Sequence, residues 1–250
     1  MTRVHEARKR ASVLLLHGFA GSPFEMHELG RRLEERGLGV RAPTLPGHAT
    51  ASRDLRGVTP DDYFEAAESA YQAAARDNDR VYVVGLSMGG SLGLHLAGTH
   101  ALAGLITIST PLSVTQLVAS GVPLLQRLAP GLPVPSRIGA RLAGDEGYAN
   151  VPVASVGVFL SVIERVRSGL QRVACPLLIV HSIYDPTIPV KNAQQIHDGV
   201  ASRDRSMHII KQGLHLLTRP RYVGFIEPAI GAFIERLEAE NSRTEVRHAT

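Results

Sequence analysis

Three residue types, far apart in the chain, could together turn an alcohol into a nucleophile. The serine is Ser87, in "GLSMGG" (Gly85 to Gly90), whose first five residues fit Gly-x-Ser-x-Gly directly after the apolar run "RVYVV". A serine hydroxyl is a weak nucleophile until a base takes its proton, and the base needs a third group to hold its tautomer. The chemistry in view is acyl transfer through a covalent intermediate. The motif alone arises by chance in roughly one chain in ten of this length, so its position has to decide. It sits between a strand pattern and a helix pattern, where a sharp turn lifts the serine above a sheet in a strained conformation. Such a turn crowds the residues two before and two after the serine. Gly85 and Gly89 meet that demand, and Gly90 lets the next helix pack closely. The helix N-terminus also favours negative charge developing nearby.

Eleven histidines compete for the role of base. His17 in "HGF" and His48 in "LPGH" follow strands and read as residues that shape their loops. His95 and His100 lie on or after the helix behind the serine. His181 and His208 fall inside strand patterns, where a satisfied core histidine is the default. His5, His27, His197 and His248 read as solvent-facing helix or tail residues. His215 differs: in "QGLHLLT" it comes four residues after the last strand and just before the final helix, so it can hang over the edge of a sheet. The acid candidate is Asp185, three residues beyond the strand that ends at Ser182, in a turn stiffened by Pro186 and Pro189. Asp61, Asp62, Asp77 and Asp79 are explained by helix ends, Asp198 by a helix, and Asp145 lies in an irregular segment.

These residues need a scaffold, and the chain alternates short apolar runs with longer helical patterns. "SVLLLH" (Ser12 to His17) is a continuous apolar strand of the kind buried on both faces in a parallel sheet. "FEMHELGRRLEERG" (Phe24 to Gly37) has Met26, Leu29 and Leu33 at helical spacing and a glycine stop. "GVRAPTL" reads as a strand. Thr59-Pro60-Asp61-Asp62 then opens a helix with a cap, a first-turn proline and a carboxylate for the capping box. "RVYVVG", "LAGLITIST", "PLLIVHS" and "SMHIIK" are further strands, and "GGSLGLHLAG" is a helix. A final helical pattern spans roughly Pro220 to Leu237, with Pro228 expected to bend it. The alternation implies an α/β protein with an open, mostly parallel sheet and helices on both faces, with every strand's C-terminal end along one edge.

Composition narrows the classes. The chain has 250 residues, 44% of them apolar, enough for one large core and a single domain. Its one cysteine, Cys175, permits no internal disulfide and no cysteine-rich metal site, which fits a cytoplasmic protein. The apolar run Val13 to Leu16 is too short for a signal sequence, and no segment is long enough to cross a bilayer. The net charge of +4 is small and scattered, and the cluster "EARKR" (Glu6 to Arg10) reads as a solvated arm. No nucleic-acid-binding signature appears, so nucleic acid is excluded as a partner.

The order Ser87, Asp185, His215 is that of the α/β-hydrolases. With "LLLHGFAGSP", "APTLPGHA", "TPDDYFEA", "VVGLSMGG", "CPLLIVHSIYDPTIPV" and "QGLHLLT", the chain resembles that superfamily, and more closely its small bacterial carboxylesterases and thermostable monoacylglycerol lipases. The likeness runs from residue 14 to about 218. It implies an α/β-hydrolase fold with Ser87 as nucleophile, His215 as general base and then acid, and Asp185 as the residue orienting the imidazole. It implies an oxyanion hole from the backbone N–H groups of Phe19 and Met88; the "HGGG" loop of other lipases is absent. One such donor is typically worth about 3 kcal/mol. Two departures stand out: His181-Ser182 where the family often has His-Gly, and Leu214 before His215 where many members have Gly. The irregular segment at about 111–173 carries six of the 15 prolines and falls where this fold commonly inserts a lid. Its apolar residues, among them Leu117, Val118, Leu124, Leu125, Val156, Phe159 and Leu160, are candidates to line an acyl pocket. Residues at about 239–250 read as a disordered tail. The function implied is a serine carboxylic-ester hydrolase acting on short- to medium-chain aliphatic esters, with no metal or organic cofactor, a small apolar ester as its ligand and no stable insertion in membranes. A thioesterase or C–C bond hydrolase shares every residue named, and a non-catalytic binding protein of the same fold would be expected to lack part of the set.

Overall fold

The computed structural model describes residues 11–113, 116–136 and 147–248. The basic cluster Glu6 to Arg10 therefore lies outside the described residues. β1 (Ala11–Leu16) is buried along its whole length. α1 (Phe24–Glu35) follows, and Gly37, with φ of 84°, takes the left-handed conformation that ends it. β2 spans Gly39–Arg41 only, shorter than the apolar pattern through Leu45 suggests. Pro43 and Pro46 lack the N–H that a longer ladder would need. α2 (Pro60–Asp77) starts at a complete capping box, in which Asp62 N donates to Thr59 Oγ1 at 3.2 Å and Thr59 N donates to Asp62 Oδ2 at 2.7 Å. β3 (Arg80–Leu86), α3 (Met88–Thr99) and β4 (Gly104–Ile108) come next.

Between β4 and the next long strand lie α4 (Gln116–Leu128), β5 (Pro133–Pro135), β6 (Asn150–Pro152) and α5 (Val153–Gly169). β5 and β6 form a separate antiparallel pair. Then follow β7 (Leu177–Ser182), α6 (Lys191–Gly199) and β8 (Arg205–Ile210). The chain ends in α7 (Pro220–Val223) and α8 (Glu227–His248). Two expectations change here. Pro228 sits in the first turn of α8, where its missing N–H has no intrahelical partner to lose, so it opens a helix rather than bending one. α8 also runs on to His248, across residues expected to form a disordered tail. Arg236 pairs with Glu240 one turn on at 3.0 Å, and Ser242 and Thr244 return their hydroxyls to the carbonyls four residues back.

The main sheet has strand order β2-β1-β3-β4-β7-β8, and every neighbouring pair is parallel. The chain moves from β1 out to β2, then returns past β1 to β3 and proceeds to β8. The order therefore reverses between β1 and β3, and in open α/β sheets the crevice beyond the carboxyl ends at such a point receives ligands. The two faces of the sheet bury separate apolar clusters. Leu14, Leu16, Val81, Val83, Leu105, Leu177 and Ile179 pack with α2, α3, α5 and α6. Val13, Leu15, Val84, Ile106, Ile108 and Val180 pack with α1, α7 and α8. Residues alternate between these clusters along each strand, so strands buried on both faces read as unbroken apolar runs.

Candidate active site

Ser87 sits between the end of β3 and the start of α3, with φ 53° and ψ −116°. This left-handed conformation is costly for a residue with a Cβ. Its amide donates to Ile108 O at 2.8 Å, which ties the turn to β4. The glycines around it are enforced by contact. A Cβ on Gly85 would overlap Gly89 O, one on Gly89 would overlap Leu16 O, and one on Gly90 would overlap Thr110 Oγ1. Met88 is the first residue of α3, so its N–H has no intrahelical acceptor.

Asp185 follows β7 and His215 follows β8, and these strands are neighbours with their carboxyl ends on the edge where Ser87 sits. His215 Nδ1 lies 2.7 Å from Asp185 Oδ2. The other carboxylate oxygen accepts from Thr187 N at 2.8 Å and Ile188 N at 2.9 Å. Burial alone would raise the Asp185 pKa, but the hydrogen bond and charge of His215 and the two backbone amides outweigh it and hold the group below its ordinary value. In the neutral ring, a carboxylate at Nδ1 selects the tautomer with its proton on Nδ1 and its lone pair on Nε2. That Nε2 is buried and has no hydrogen-bond partner. The structure therefore joins Asp185 to His215, and it draws no hydrogen bond from Ser87 to His215.

The departures noted in the sequence are structural features. Ser182 Oγ donates to Gly213 O at 2.8 Å and accepts from Tyr184 N at 3.1 Å. The glycine expected next to His215 is displaced by one residue. Gly213 has φ of 73°, and Leu214 is exposed.

The loop after β1 has nearly all its amides committed. Gly18 N donates to Glu25 Oε2 at 3.2 Å, Ala20 N to His48 Nε2 at 3.0 Å, and Gly21 N to Gly18 O at 3.3 Å. Among the described residues the Phe19 amide makes no such bond. His17 and His48 hold the loops in place. His17 Nε2 accepts from Leu45 N at 3.1 Å while Nδ1 meets Gly18 O at 2.9 Å, and His48 Nδ1 meets Pro46 O at 2.8 Å. Burial, joined at His17 by the nearby His48, lowers their pKa to about 3 and about 4, so both are neutral. With both ring nitrogens engaged, neither can accept a proton from a serine. His181 lies 3.7 Å from Asp185 Oδ2, and its Nε2 meets Ile188 O at 2.9 Å.

Several residues at this edge carry no sequence signal of their role. Glu25 is 6% exposed under the His17–Gly21 loop, and burial pushes its pKa up to about 7 against the pull of the Gly18 amide and the Arg219 charge. Tyr148 donates its amide to Ala20 O at 2.8 Å and its hydroxyl to Gly47 O at 2.9 Å. Asn192 Oδ1 accepts from Leu112 N at 2.8 Å and Ser113 N at 2.7 Å. Phe159 of α5 stacks on Phe19, with centroids 5.1 Å apart. Leu124 and Leu125 of α4 are exposed, while the side chains of Leu117 and Val118 lie outside the described residues. Among the described residues no three metal-ligating side chains cluster.

The family model described as serine aminopeptidase, S33, matches residues 7–220 of this chain. The thermostable monoacylglycerol lipase of Bacillus sp. (strain H-257) is 30% identical over 213 residues, which cover 82% of this chain and 83% of that protein. The carboxylesterase of Bacillus subtilis (strain 168) is 24% identical over 232 residues, covering 91% of this chain and 93% of that one. Among solved structures, a chain from a study of two metagenome-derived lipolytic enzymes superposes with a TM-score of 0.84 at 28% identity, covering 91% of this chain and 94% of that chain. The monoacylglycerol lipase of Paleococcus ferrophilus shares the fold with a TM-score of 0.74 at 20% identity, covering 92% and 94%.

Proposed function

Since the chain belongs to the serine aminopeptidase S33 family of α/β-hydrolases, we propose that Ser87, Asp185 and His215 are its catalytic residues and that the Phe19 and Met88 amides form its oxyanion hole. The protein is a serine carboxylic-ester hydrolase, the class for which both Bacillus relatives are named. Ser87 Oγ attacks the ester carbonyl while His215 Nε2 takes its proton. The negative oxygen that forms turns to the Phe19 and Met88 amides. The proton passes from His215 to the leaving alcohol, and the acyl group stays on Ser87. Water then gives a proton to His215 and its hydroxide to the acyl carbon, releasing the acid and returning the proton to Ser87. Asp185 holds the ring and balances its positive charge. The observation that carries this reading is the buried Asp185–His215 pair with an uncommitted Nε2, on the same sheet edge as a serine in a left-handed turn.

The described parts of the 111–173 segment, residues 111–113, 116–136 and 147–173, serve as a cap over this edge, and the acyl chain lies beneath it. The stack of Phe159 on Phe19 supports this, as does the bond from Tyr148 N to Ala20 O. An apolar cover suits aliphatic acyl groups, and a confined one suits short to medium chains and monoacylglycerols over triacylglycerols. No helix among the described residues is long and apolar enough to cross a membrane, and the composition fits a cytoplasmic enzyme acting on dispersed esters. The test is a fluorophosphonate probe with p-nitrophenyl acetate, butyrate, caprylate and palmitate, run beside acyl-CoA and a peptide amide. One adduct on Ser87 and fastest turnover of the short to medium oxygen esters are expected. Labelling that persists in Ser87→Ala overturns the site, and acyl-CoA cleaved far faster than any oxygen ester overturns the substrate class.

A further inference from the structure

Glu25 is a buried carboxyl that the mechanism above does not use, placed where polar groups are costly. It lies in the first turn of α1, yet its side chain turns back under the loop after β1. Oε2 accepts from Gly18 N at 3.2 Å, which fixes the peptide immediately before the Phe19 amide. The loop is shaped around the carboxyl. A Cβ on Gly21 would overlap it, and a Cβ on Gly18 would lie 3.5 Å from Oε2 and 3.4 Å from Ser87 Cβ. Arg219, just past His215 in the chain, supplies positive charge toward it. On the far side of Phe19, the Ala20 amide is held by His48. The amides on both sides of Phe19 N–H are thus held, and Gly18 O, in the same peptide as Phe19 N, meets Gly21 N at 3.3 Å and His17 Nδ1 at 2.9 Å.

We infer that Glu25 is a positioning residue for the oxyanion hole, holding the Gly18 N–H so that the Phe19 N–H points at the reacting oxygen above Ser87. This rests on the oxyanion hole proposed above and deepens it. A donor aimed in advance needs no reorganisation as charge develops, whereas one that must reorient gives up part of its stabilisation. The contribution appears in the transition state, so its loss lowers kcat and leaves KM nearly unchanged.

The experiment compares the wild type with Glu25→Leu, Glu25→Gln and Gly21→Ala, with kcat expressed per serine titrated by phosphonate. Glu25→Leu removes the acceptor and keeps the bulk, and Glu25→Gln keeps an acceptor oxygen. Gly21→Ala displaces the carboxyl without altering it, and it carries the test should Glu25→Leu not fold. In Glu25→Leu and Gly21→Ala, kcat is expected to fall roughly 10- to 100-fold, less than deleting a donor outright. Affinity for a trifluoromethyl ketone, whose serine adduct bears the oxyanion, should fall in parallel. Glu25→Gln should stay within about threefold of wild type, and Gly21→Ala should add little to Glu25→Leu, because both act through one bond. A Glu25→Leu or Gly21→Ala enzyme with wild-type kcat overturns the inference. So does a loss confined to KM, a loss that tracks melting temperature, or a glutamine variant as impaired as the leucine one. A wild type that neither labels at Ser87 nor cleaves esters would instead overturn the proposed function, so the two failures are distinct.

Discussion

Ser182 and Gly213 fasten together the two loops that carry Asp185 and His215: the serine hydroxyl donates to the glycine carbonyl at 2.8 Å. The same oxygen accepts from Tyr184 N, one residue before Asp185. Ser182→Ala should therefore loosen both loops. A part-buried carbonyl and an amide lose their partner, at a cost of about 1 kcal/mol in stability. A fall in kcat of roughly fivefold to twentyfold with little change in KM is expected from a slightly misplaced base. Steady-state kinetics beside thermal unfolding check this, and an unchanged kcat would show that the loops hold without the bridge.

Ser87 sits at φ 53°, a conformation that glycine adopts without strain. Ser87→Gly should abolish turnover and raise stability by about 1 kcal/mol, or roughly 2–4 °C in Tm. Calorimetry of the inactive variant reads the strain directly. A lower Tm would mean that the serine side chain contributes more by its contacts than the turn costs.

Asp185→Asn should lower kcat by roughly 10³- to 10⁴-fold by holding the wrong tautomer of His215. Phosphonate labelling should slow in parallel, since the same proton must leave Ser87. Turnover within tenfold of wild type would mean that another group orients the base.

Phe159→Ala removes the ring that lies on Phe19 with the two planes 2° apart. A stack of this kind is worth about 1 kcal/mol beyond its buried area. Acetate ester turnover should be nearly unchanged, while kcat/KM for the caprylate ester should fall roughly fivefold to tenfold, because each buried CH₂ contributes about 0.8 kcal/mol. A uniform loss across the acyl series would place Phe159 outside the acyl pocket.

Glu25 makes stability depend on pH in an unusual direction for a carboxyl. Its folded pKa is raised by burial from 4.5 to about 7, so its contribution is complete below 4.5 and is lost as pH rises through about 7. Between pH 4.5 and 8 the wild type should lose up to about 3 kcal/mol relative to Glu25→Gln. His17 and His48 act oppositely, losing their contribution as pH falls below 6.5, but they are present in both proteins and cancel. Denaturant midpoints of the two proteins across that range make the comparison. Parallel curves would mean that Glu25 is ionised at no cost.

The strands were legible because a parallel strand buried on both faces has no polar side, so "SVLLLH", "RVYVV" and "PLLIVHS" show as unbroken apolar runs. That also put Ser87, Asp185 and His215 past strand ends. Their hydrogen bonding was out of reach, because it depends on which strands are neighbours. β5 and β6 leave no strand pattern, since Pro133, Pro135 and Pro152 read as breaks in any regular pattern. The apolar spacing of α8 stops at Leu237, whereas the helix continues on side-chain pairs along a solvated face. Glu25, Tyr148 and Asn192 are of types that usually face water. Tyr148 and Asn192 are defined by contacts to distant parts of the chain, at Ala20 and Leu112, and Glu25 by a side chain that turns back out of its helix to Gly18, none of which a periodic pattern records.

The reversal of strand order between β1 and β3 also bears on when activity can arise. On a ribosome, the β1 loop and the Ser87 turn emerge early, long before the strands that carry Asp185 and His215. Among the described strands β8 pairs only with β7, so the proposed base cannot reach the proposed acid until nearly the whole chain has been made. On the proposed mechanism, a nascent chain therefore holds a serine without a proton acceptor and leaves cellular esters alone. Esterase activity in a translation reaction accordingly measures completed molecules, and chains stalled before β8 contribute none.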